Sequence, residues 1–313
     1  MMVPWQTCHD QHDGFHSGAC TPLGPYMRRR MQRICTGLAF LAAACLTAAP
    51  VTAADWRPLF NGKDLTGWET YLGKPHKSID IPGLKRNDKG EYLEPIGVDN
   101  DPLTVYSVVT IDGEPAIKIT GQVFGALTTR EEFENYHLRF QVKWGEKKYP
   151  PRDKAIRDSG LLYHCIGPHG AGSGFWKKSF ESQIQEGDFG DFYSVAGVIV
   201  DVTGERKGEK GPIVFTKNGQ KFTGVTSRII KNPTSEKPHG EWNTVELYAV
   251  GDTAVHVNNG VPNMILTGLR HKVDGREVPL TKGQIQLQSE GAEVYYRRIE
   301  IRPIDKIPAE LLK

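Results

Sequence analysis

Residues 179–185 read Ser-Phe-Glu-Ser-Gln-Ile-Gln, an alternation typical of a β-strand. In an extended strand, successive side chains point to opposite faces. One face therefore carries Phe180, Ser182 and Ile184. The other carries only an acid and two amides, namely Glu181, Gln183 and Gln185. Because burying such groups is costly without polar partners, this face is either solvated or the floor of a cleft that binds a polar ligand.

A second strand is predicted just before it, where residues 157–164 read Arg-Asp-Ser-Gly-Leu-Leu-Tyr-His. Strict alternation places Leu162 and His164 on one face of the strand and Leu161 and Tyr163 on the other. A Gly-rich loop, 167–174, connects the two strands. Three aromatic residues flank the polar face, namely Phe175, Trp176 and Phe192. Since aromatic platforms beside acids and amides suit sugar recognition, they favour the cleft.

The rest of the chain repeats this pattern of short alternating segments separated by turn residues. Further strands are predicted at 105–110, 116–120, 137–144, 160–165, 197–200, 244–250, 254–258, 284–288 and 294–302. Helix is limited to single turns at 130–135 and 309–312. With 34 Gly and 20 Pro in 313 residues, the pattern predicts an all-β, antiparallel two-sheet sandwich in one domain, residues 54–313.

Composition excludes several classes of protein. Lys plus Arg total 39 against 37 Asp plus Glu, so no strong positive charge favours nucleic-acid binding. One apolar run, 34–49, approaches the length of a membrane span, which excludes a polytopic membrane protein. Two long polar connections, 74–100 and 147–154, are typical of the rim of a binding site.

The N-terminal region is predicted to be a targeting segment. Four arginines in 28–33 precede the apolar run, and Val51-Thr52-Ala53-Ala54 resembles a signal-peptidase site. We expect cleavage after Ala53 and export to the periplasm or medium, leaving no membrane span. A lipoprotein anchored through Cys45 is the alternative. The oligomeric state is left open.

Residues 1–26 lie upstream of this signal and fit translation from Met27 or Met31 better than a functional segment. They contain a zinc-like set that we therefore set aside, consisting of Cys8, His9, His12, His16 and Cys20. Of the five cysteines only Cys165 belongs to the exported chain, which excludes an intramolecular disulfide. Its apolar strand predicts a buried, inert thiol.

Several motifs together resemble the 3-keto-disaccharide hydrolase domain family, long catalogued as a domain of unknown function. The opening motif is Leu-Phe-Asn-Gly-Lys-Asp-Leu-Thr-Gly-Trp at 59–68. Segments 158–163, 181–187, 240–243 and 283–288 resemble its internal motifs in order, and 297–301 its closing strand. The resemblance spans about residues 56–304 and implies a concanavalin A-like jelly roll of the lectin and glucanase type.

The chain departs from the family pattern at two positions. Asp158 stands where the family commonly has asparagine, and His164 where it frequently has arginine. Both are typical of a subgroup with the long Gly-rich insertion, which makes 167–178 a candidate lid.

The resemblance implies substrates already oxidised at C3 of a sugar. The ketone acidifies the C2 proton, so a base, a stabiliser of the enolate and an acid for the leaving oxygen are required. As catalytic residues we predict Glu181 or His164 as the base and Glu186, or alternatively Asp188, as the acid. As substrate-binding residues we predict Gln183, Gln185, Asp158, Trp176 and Gln288, with Glu290 reaching the same rim.

A divalent cation bound by Asp188 and Glu186 is a further hypothesis, although no metal-binding spacing supports it. The sugar-bearing substrate is the expected partner. Two alternatives remain open: a non-catalytic, lectin-like carbohydrate-binding module, and an ordinary glycan hydrolase of laminarinase type using Glu181 and Glu186.

Overall fold

The computed structural model describes residues 55–313, and regular structure there is almost entirely β. The strands are β1 (Arg57–Pro58), β2 (Trp68–Leu72), β3 (Gly97–Val98), β4 (Tyr106–Ile111), β5 (Glu114–Ile119), β6 (Gly125–Thr129), β7 (Phe133–Glu134), β8 (Tyr136–Lys148), β9 (Gly160–Ile166), β10 (Lys178–Gln183), β11 (Phe192–Val195), β12 (Ile199–Arg206), β13 (Ile213–Phe215), β14 (Gln220–Val225), β15 (Ile229–Ile230), β16 (Asn243–Val250), β17 (Thr253–Asn258), β18 (Val261–Val273), β19 (Arg276–Pro279), β20 (Lys282–Ser289) and β21 (Ala292–Pro303). A short helix, α1 (Ala309–Leu312), follows them.

Pairing organises these strands into two antiparallel sheets. Sheet 1 has the order β4-β5-β21-β8-β16-β17-β18-β12-β14. Sheet 2 has the order β3-β2-β6-β20-β9-β10-β11-β15. Strand β13 joins them at one edge by pairing antiparallel with β12 and parallel with β15. The predicted all-β, antiparallel jelly-roll sandwich is confirmed.

The apolar core fills the space between the two sheets. Phe140 and Leu247 from sheet 1 belong to the same buried cluster as Phe180 and Leu127 from sheet 2. These side chains come from every second position of their strands, as expected where one face of a sheet is buried. A hydrogen bond crosses the core from the Tyr163 hydroxyl to Nε2 of His256, 3.1 Å apart.

A β-bulge in β9 interrupts the alternation predicted for that strand. His164 and Cys165 together oppose the single residue Ser179 of β10, and His164 has a φ of 51°. The extra residue puts both Tyr163 and His164 on the core side and returns Cys165 to the opposite side. The prediction that Tyr163 and His164 point to opposite faces is therefore wrong.

Other local predictions have mixed outcomes. The turn at 309–312 is helical as predicted, but 130–135 contains the strand β7 because Phe133 and Glu134 pair with β20. Asn259 and Gly260 form a hairpin turn between β17 and β18. Arg297 is buried and Arg298 exposed, as expected for neighbours of which only one is near the core.

Within residues 55–313, no helix is long and apolar enough to cross a membrane. The predicted signal peptide, its cleavage site, Cys45 and the upstream extension lie outside the described residues.

Candidate functional site

The polar side of sheet 2 turns away from the core and is called the site face here. Gln286 of β20 pairs with Thr128 of β6 and with Leu162 of β9, and Leu162 pairs in turn with Glu181 of β10. These four side chains therefore form a row across neighbouring strands. Glu181 points to the site face because its neighbour Phe180 lies in the core.

Two carboxyl groups pair with one arginine at the end of this face, and a third lies close to them. Arg152 Nη2 lies 2.6 Å from Asp158 Oδ2, and Arg152 Nη1 lies 3.8 Å from Glu290 Oε1. Glu181 is the third acid, and its electrostatic effect reaches both Asp158 and Glu290. We call Asp158, Glu181, Glu290 and Arg152 the carboxyl cluster. Its residues come from three separate segments. The connection before β9 supplies Arg152 and Asp158, β10 supplies Glu181, and Glu290 directly follows β20.

Gly160 leaves room for the cluster. A Cβ at this position would lie 2.2 Å from Glu181 Oε1 and 2.5 Å from Gln288 Oε1. The missing side chain therefore opens a space into which a carboxyl and an amide both project. Gln288 Oε1 and Asp158 Oδ1 are buried and have no hydrogen-bond partner, so acceptors are available there for a ligand.

Burial raises the pKa of all three carboxyl groups of the cluster, and repulsion between them adds to the effect for Glu181 and Glu290. Burial, and then the charge of Asp158, raises the pKa of Glu181 to about 8. Burial raises the pKa of Asp158 to about 6, and Arg152 opposes the rise. Burial and the two neighbouring acids raise the pKa of Glu290 well above its usual range. Such separated pKa values suit acid–base chemistry.

The Gly-rich loop covers the middle of the site face. Trp176 packs over Leu162, Cys165 and Val195, and its Nε1 donates to the Gly125 carbonyl at 3.1 Å. Lys177 donates its backbone N–H to Gln286 Oε1 at 3.1 Å. The loop is therefore a wall beside the carboxyl cluster.

The far end of the loop is fixed to β2. His169 Nε2 lies 2.9 Å from Glu69 Oε1, and the His169 ring stacks on Tyr71 with centroids 4.7 Å apart. The Tyr71 hydroxyl donates to the Gly174 carbonyl at 3.3 Å.

Comparison with known families settles the family to which this architecture belongs. The model of the 3-keto-alpha-glucoside-1,2-lyase-like domain matches residues 55–302. The chain belongs to this family. Membership supports a carbohydrate-related activity and confirms the resemblance seen in the motifs. No curated protein matches the chain.

Solved structures similar to this 3-keto-alpha-glucoside-1,2-lyase-like domain include two from Parabacteroides distasonis ATCC 8503, both provisionally assigned as glycosyl hydrolases. The match to one of them has 17% sequence identity and a TM-score of 0.43, and it covers 80% of this chain and 94% of the chain in that structure. The match to the other has 18% sequence identity and a TM-score of 0.42, and it covers 80% of this chain and 100% of the chain in that structure. The match to a Bacillus licheniformis β-glucanase has 9% sequence identity and a TM-score of 0.36, and it covers 81% of this chain and 99% of the β-glucanase chain.

His164 does not join the site of this 3-keto-alpha-glucoside-1,2-lyase-like domain. Its ring packs edge-on against Tyr136 of sheet 1 and Phe180, and its Nδ1 lies 3.1 Å from the Leu280 carbonyl. Burial lowers the pKa of His164 to about 4, so the imidazole is neutral. The structure therefore does not bring His164 to the cluster as the alternative base, because the bulge puts His164 and Glu181 on opposite faces of sheet 2.

Glu186 and Asp188 are engaged by cations outside the cluster. Glu186 Oε1 lies 3.1 Å from both Arg157 Nη1 and His239 Nδ1. Asp188 pairs with Arg228 at 2.9 Å and with Lys231 at 3.3 Å. The structure therefore does not bring Glu186 to the carboxyl cluster as the predicted acid.

The predicted metal site also lacks support. No group of three or more His, Cys, Asp or Glu that could hold a metal ion occurs in the described part of the chain. The hypothesis of a cation bound by Asp188 and Glu186 is not pursued, because each carboxylate already has its own cationic partners.

The predicted amide ligands occupy different positions. Gln288 reaches the space left by Gly160, beside Glu181. Gln183 is buried, and its Oε1 accepts from the Ile184 N–H at 2.9 Å, a local contact at the strand end. Gln185 lies beyond the end of β10, but its Oε1 accepts from Arg152 Nη2 at 3.0 Å and so supports the cluster.

A histidine and a tryptophan of other strands and connections lie away from the site face. His256 is buried in the core, where its Nδ1 lies 3.0 Å from the Gly190 carbonyl. Trp242 stacks under the Arg297 guanidinium at 3.9 Å and donates to Asp112 at 2.8 Å, consistent with a packing role.

Arg152 is the site residue that the sequence analysis missed. Its connection, 147–154, was predicted to belong to a binding-site rim, but nothing in the sequence distinguishes Arg152 from the other basic residues there. Only the fold shows that its guanidinium reaches the start of β9.

Proposed function

We propose that this chain is an exported enzyme that cleaves 3-keto-glycosides by removing the C2 proton and eliminating the C1 substituent. Addition of water at C1 would convert elimination into net hydrolysis. The observation that carries this proposal is the carboxyl cluster, in which Arg152 contacts two of three closely placed acids and the absent side chain of Gly160 makes room for the third, Glu181. Membership of the 3-keto-alpha-glucoside-1,2-lyase-like family supports the choice of substrate.

The chemistry requires one base, one acid and one group that stabilises negative charge. The C3 ketone makes the C2–H acidic, so a carboxylate can take that proton while the electron pair enters the enolate. The electron pair then forms the C1–C2 double bond as the C1–O bond breaks. A proton given to the leaving oxygen completes an elimination that yields an enone and an alcohol.

Glu181 is proposed as the base. It lies within strand β10, where the backbone fixes its position, and its carboxylate projects into the room left by the absent side chain of Gly160. Its pKa of about 8 makes the ionised form a stronger base than an ordinary glutamate. A base with a pKa near the working pH combines adequate ionisation with high proton affinity.

Glu290 is proposed as the acid that protonates the leaving oxygen. Burial and the neighbouring charges of Asp158 and Glu181 raise the pKa of Glu290 well above its usual range, which favours the protonated carboxyl group. Its side chain is 14% exposed, which leaves a surface for a ligand to contact. Arg152 Nε is buried with no hydrogen-bond partner, so this N–H is available for the enolate oxygen.

Export is part of the proposal and rests on the signal-like sequence 27–54. Fractionation of the native host, with N-terminal sequencing of the mature protein, tests it. A mature N-terminus at Ala54 supports periplasmic or extracellular release, whereas a lipid-modified Cys45 supports the anchored alternative.

Turnover of synthetic substrates tests the proposed chemistry directly. The purified protein is incubated with methyl 3-keto-glucosides of both anomers while absorbance of the enone is followed. We expect an enone that forms with wild-type protein and not with Glu181→Gln. Saturable binding without any product would favour the lectin-like module. Cleavage of an unoxidised glycoside would favour an ordinary glycan hydrolase.

A further inference from the structure

A mostly apolar pocket lies beside the carboxyl cluster, with aromatic and proline side chains as its main walls and Lys74, His76 and Gln122 also lining it. Its volume is about 250 Å³. Phe124 and Phe175 form one wall with ring centroids 5.2 Å apart, and Pro150 and Pro151 form another. We call this the Phe175 pocket.

The Phe175 pocket and the carboxyl cluster share a wall. The Gly291 N–H donates to the Gly121 carbonyl at 3.0 Å, and the Gly291 carbonyl accepts from the Tyr149 N–H at 2.7 Å. Gly121 precedes the pocket residue Gln122, and Tyr149 precedes Pro150. Glu290, next to Gly291, therefore lies beside the pocket, as does Arg152, which follows Pro151.

The walls of this pocket suit a flat apolar ring better than a second sugar. Proline has no backbone N–H, and the two phenyl rings offer no hydrogen-bonding atom. His76, at the rim, is already engaged through Nδ1 with the Ser78 hydroxyl at 2.8 Å. Lys74 and Gln122 are the other polar lining residues, so some hydroxyl groups of a sugar would find partners here and the rest would be left without one, which is costly.

The pocket has the right size for this occupant. An engineered apolar cavity of about 150 Å³ can hold benzene. The larger volume here accommodates one substituted ring.

Gly73 allows Phe175 to occupy its position. A Cβ at residue 73 would lie 2.4 Å from Phe175 Cδ1. The loop therefore places Phe175 against a backbone segment that has no side chain in the way, and the ring becomes a fixed part of the wall.

We propose that the Phe175 pocket binds the leaving group of the substrate and that this leaving group carries an aromatic ring. The inference rests on the proposed function, since it takes Glu290 as the acid at the leaving oxygen. It narrows the substrate class to aryl or arylalkyl 3-keto-glycosides, in preference to 3-keto-disaccharides.

Binding of two matched ligands tests this specificity separately from catalysis. Benzyl and methyl 3-keto-glucosides have leaving alcohols of similar basicity and differ in the phenyl ring. Their dissociation constants are measured by calorimetry on Glu181→Gln, which is expected to bind without turnover. We expect the benzyl compound to bind between about 10-fold and about 100-fold more tightly. Equal affinities within about 3-fold, or no binding of either compound, would overturn the assignment.

Two variants locate the preference in the pocket. In the Glu181→Gln background, Phe175→Ala is expected to lower the benzyl-to-methyl affinity ratio about 10-fold. Gly73→Ala is expected to lower it as well, by displacing the Phe175 ring. The control is Phe222→Ala, which truncates a partly buried phenylalanine in β14 of sheet 1 and should leave the ratio unchanged. A ratio unaffected by both pocket variants would also overturn the assignment.

Cleavage by the wild-type protein distinguishes the two proposals. Failure to cleave either compound, with a benzyl preference still present in binding, would overturn the proposed reaction and leave the pocket assignment standing. Cleavage of both compounds, with equal affinities in the binding experiment, would overturn the pocket assignment and leave the proposed reaction standing.

Discussion

Arg152 Nη2 contacts Asp158 Oδ2 at 2.6 Å, whereas Arg152 Nη1 is 3.8 Å from Glu290. The cation therefore stabilises the charge of Asp158 much more than that of its neighbours, because Coulomb attraction falls with distance. An ionised Asp158 in turn disfavours charge on Glu181 and Glu290. Burial raises the pKa of all three carboxyl groups, and the ion pair offsets this rise for Asp158, whose pKa of about 6 lies below the value of about 8 for Glu181.

The first prediction concerns the pH dependence of the rate. If Glu181 is the base, kcat/KM should rise with pH up to about pH 8 as its carboxyl ionises. Asp158→Asn removes the nearby negative charge, lowers the pKa of Glu181 and should move this rise to lower pH. Because the base is then weaker, the maximal rate should fall about tenfold or less. Asp112→Asn, on the exposed surface, is the control; an unmoved profile in Asp158→Asn would contradict the electrostatic argument.

The second prediction links Glu181 to stability. Its pKa of about 8 in the folded protein lies above the usual value of 4.5, so the unfolded chain loses this proton first. The protonated Glu181 carboxyl therefore contributes fully to the free energy of unfolding below about pH 4.5, and this contribution is lost as pH rises to about 8. Urea unfolding should therefore show Glu181→Gln gaining stability over wild type as pH increases, on the order of a few kcal/mol. Activity should fall by at least about 100-fold. A constant stability difference between pH 5 and pH 9 would contradict the raised pKa.

The third prediction tests Glu290 as the acid. Protonation matters most for a poor leaving group, so Glu290→Gln should slow methyl 3-keto-glucoside by about 100-fold or more. A nitrophenyl 3-keto-glucoside leaves as a stabilised anion and should be slowed much less. The comparison is made on kcat, with Glu186→Gln as the matched control because Glu186 pairs with Arg157 away from the cluster. Equal slowing of both substrates would exclude Glu290 from proton donation.

The strands were predictable from the sequence because alternation records which face is buried. Glu181 illustrates this success: its position between Phe180 and Ser182 was sufficient to place it on the polar face of β10. His164 illustrates the limit. A single inserted residue in the bulge reverses the direction of every later side chain, and the alternating pattern does not reveal the insertion.

The carboxyl cluster was only partly predictable for a different reason. Asp158 and Glu181 lie in motifs close together in sequence, whereas Arg152 and Glu290 come from a loop and a strand end 138 residues apart. Their meeting depends on the crossing of β20 beside β9. No local pattern encodes such a tertiary contact, so the sequence indicated the rim of the site but not the partner of Asp158.

The fourth prediction assigns His164 a structural role. His164→Ala should lower the free energy of unfolding by about 2–4 kcal/mol, because it leaves a cavity between the sheets. Turnover below the unfolding temperature should be nearly unchanged. The pKa of His164 is lowered to about 4 in the folded protein. Neutral His164 therefore contributes fully to the free energy of unfolding above about pH 6.5, and this contribution is lost as pH falls towards 4. Urea unfolding between pH 4 and pH 7.5 should show a shallower loss of stability in the variant than in wild type. A turnover defect greater than about 100-fold in folded protein would restore His164 to the mechanism.

The fifth prediction concerns the loop that covers the site face. Glu69 and Glu181 are separated by four strand-to-strand steps, about 19 Å at the usual spacing, and the loop spans the interval between them. Trp176 supplies its central contact through Leu162, Cys165 and Val195. Trp176→Ala should loosen the loop, which would raise KM for methyl 3-keto-glucoside severalfold and speed proteolytic cleavage within 167–176. Trp242→Ala removes an indole of equal size from sheet 1 and should change neither quantity. If the two variants behave alike, the loop is not a wall of the site, because a general loss of stability would then account for both effects.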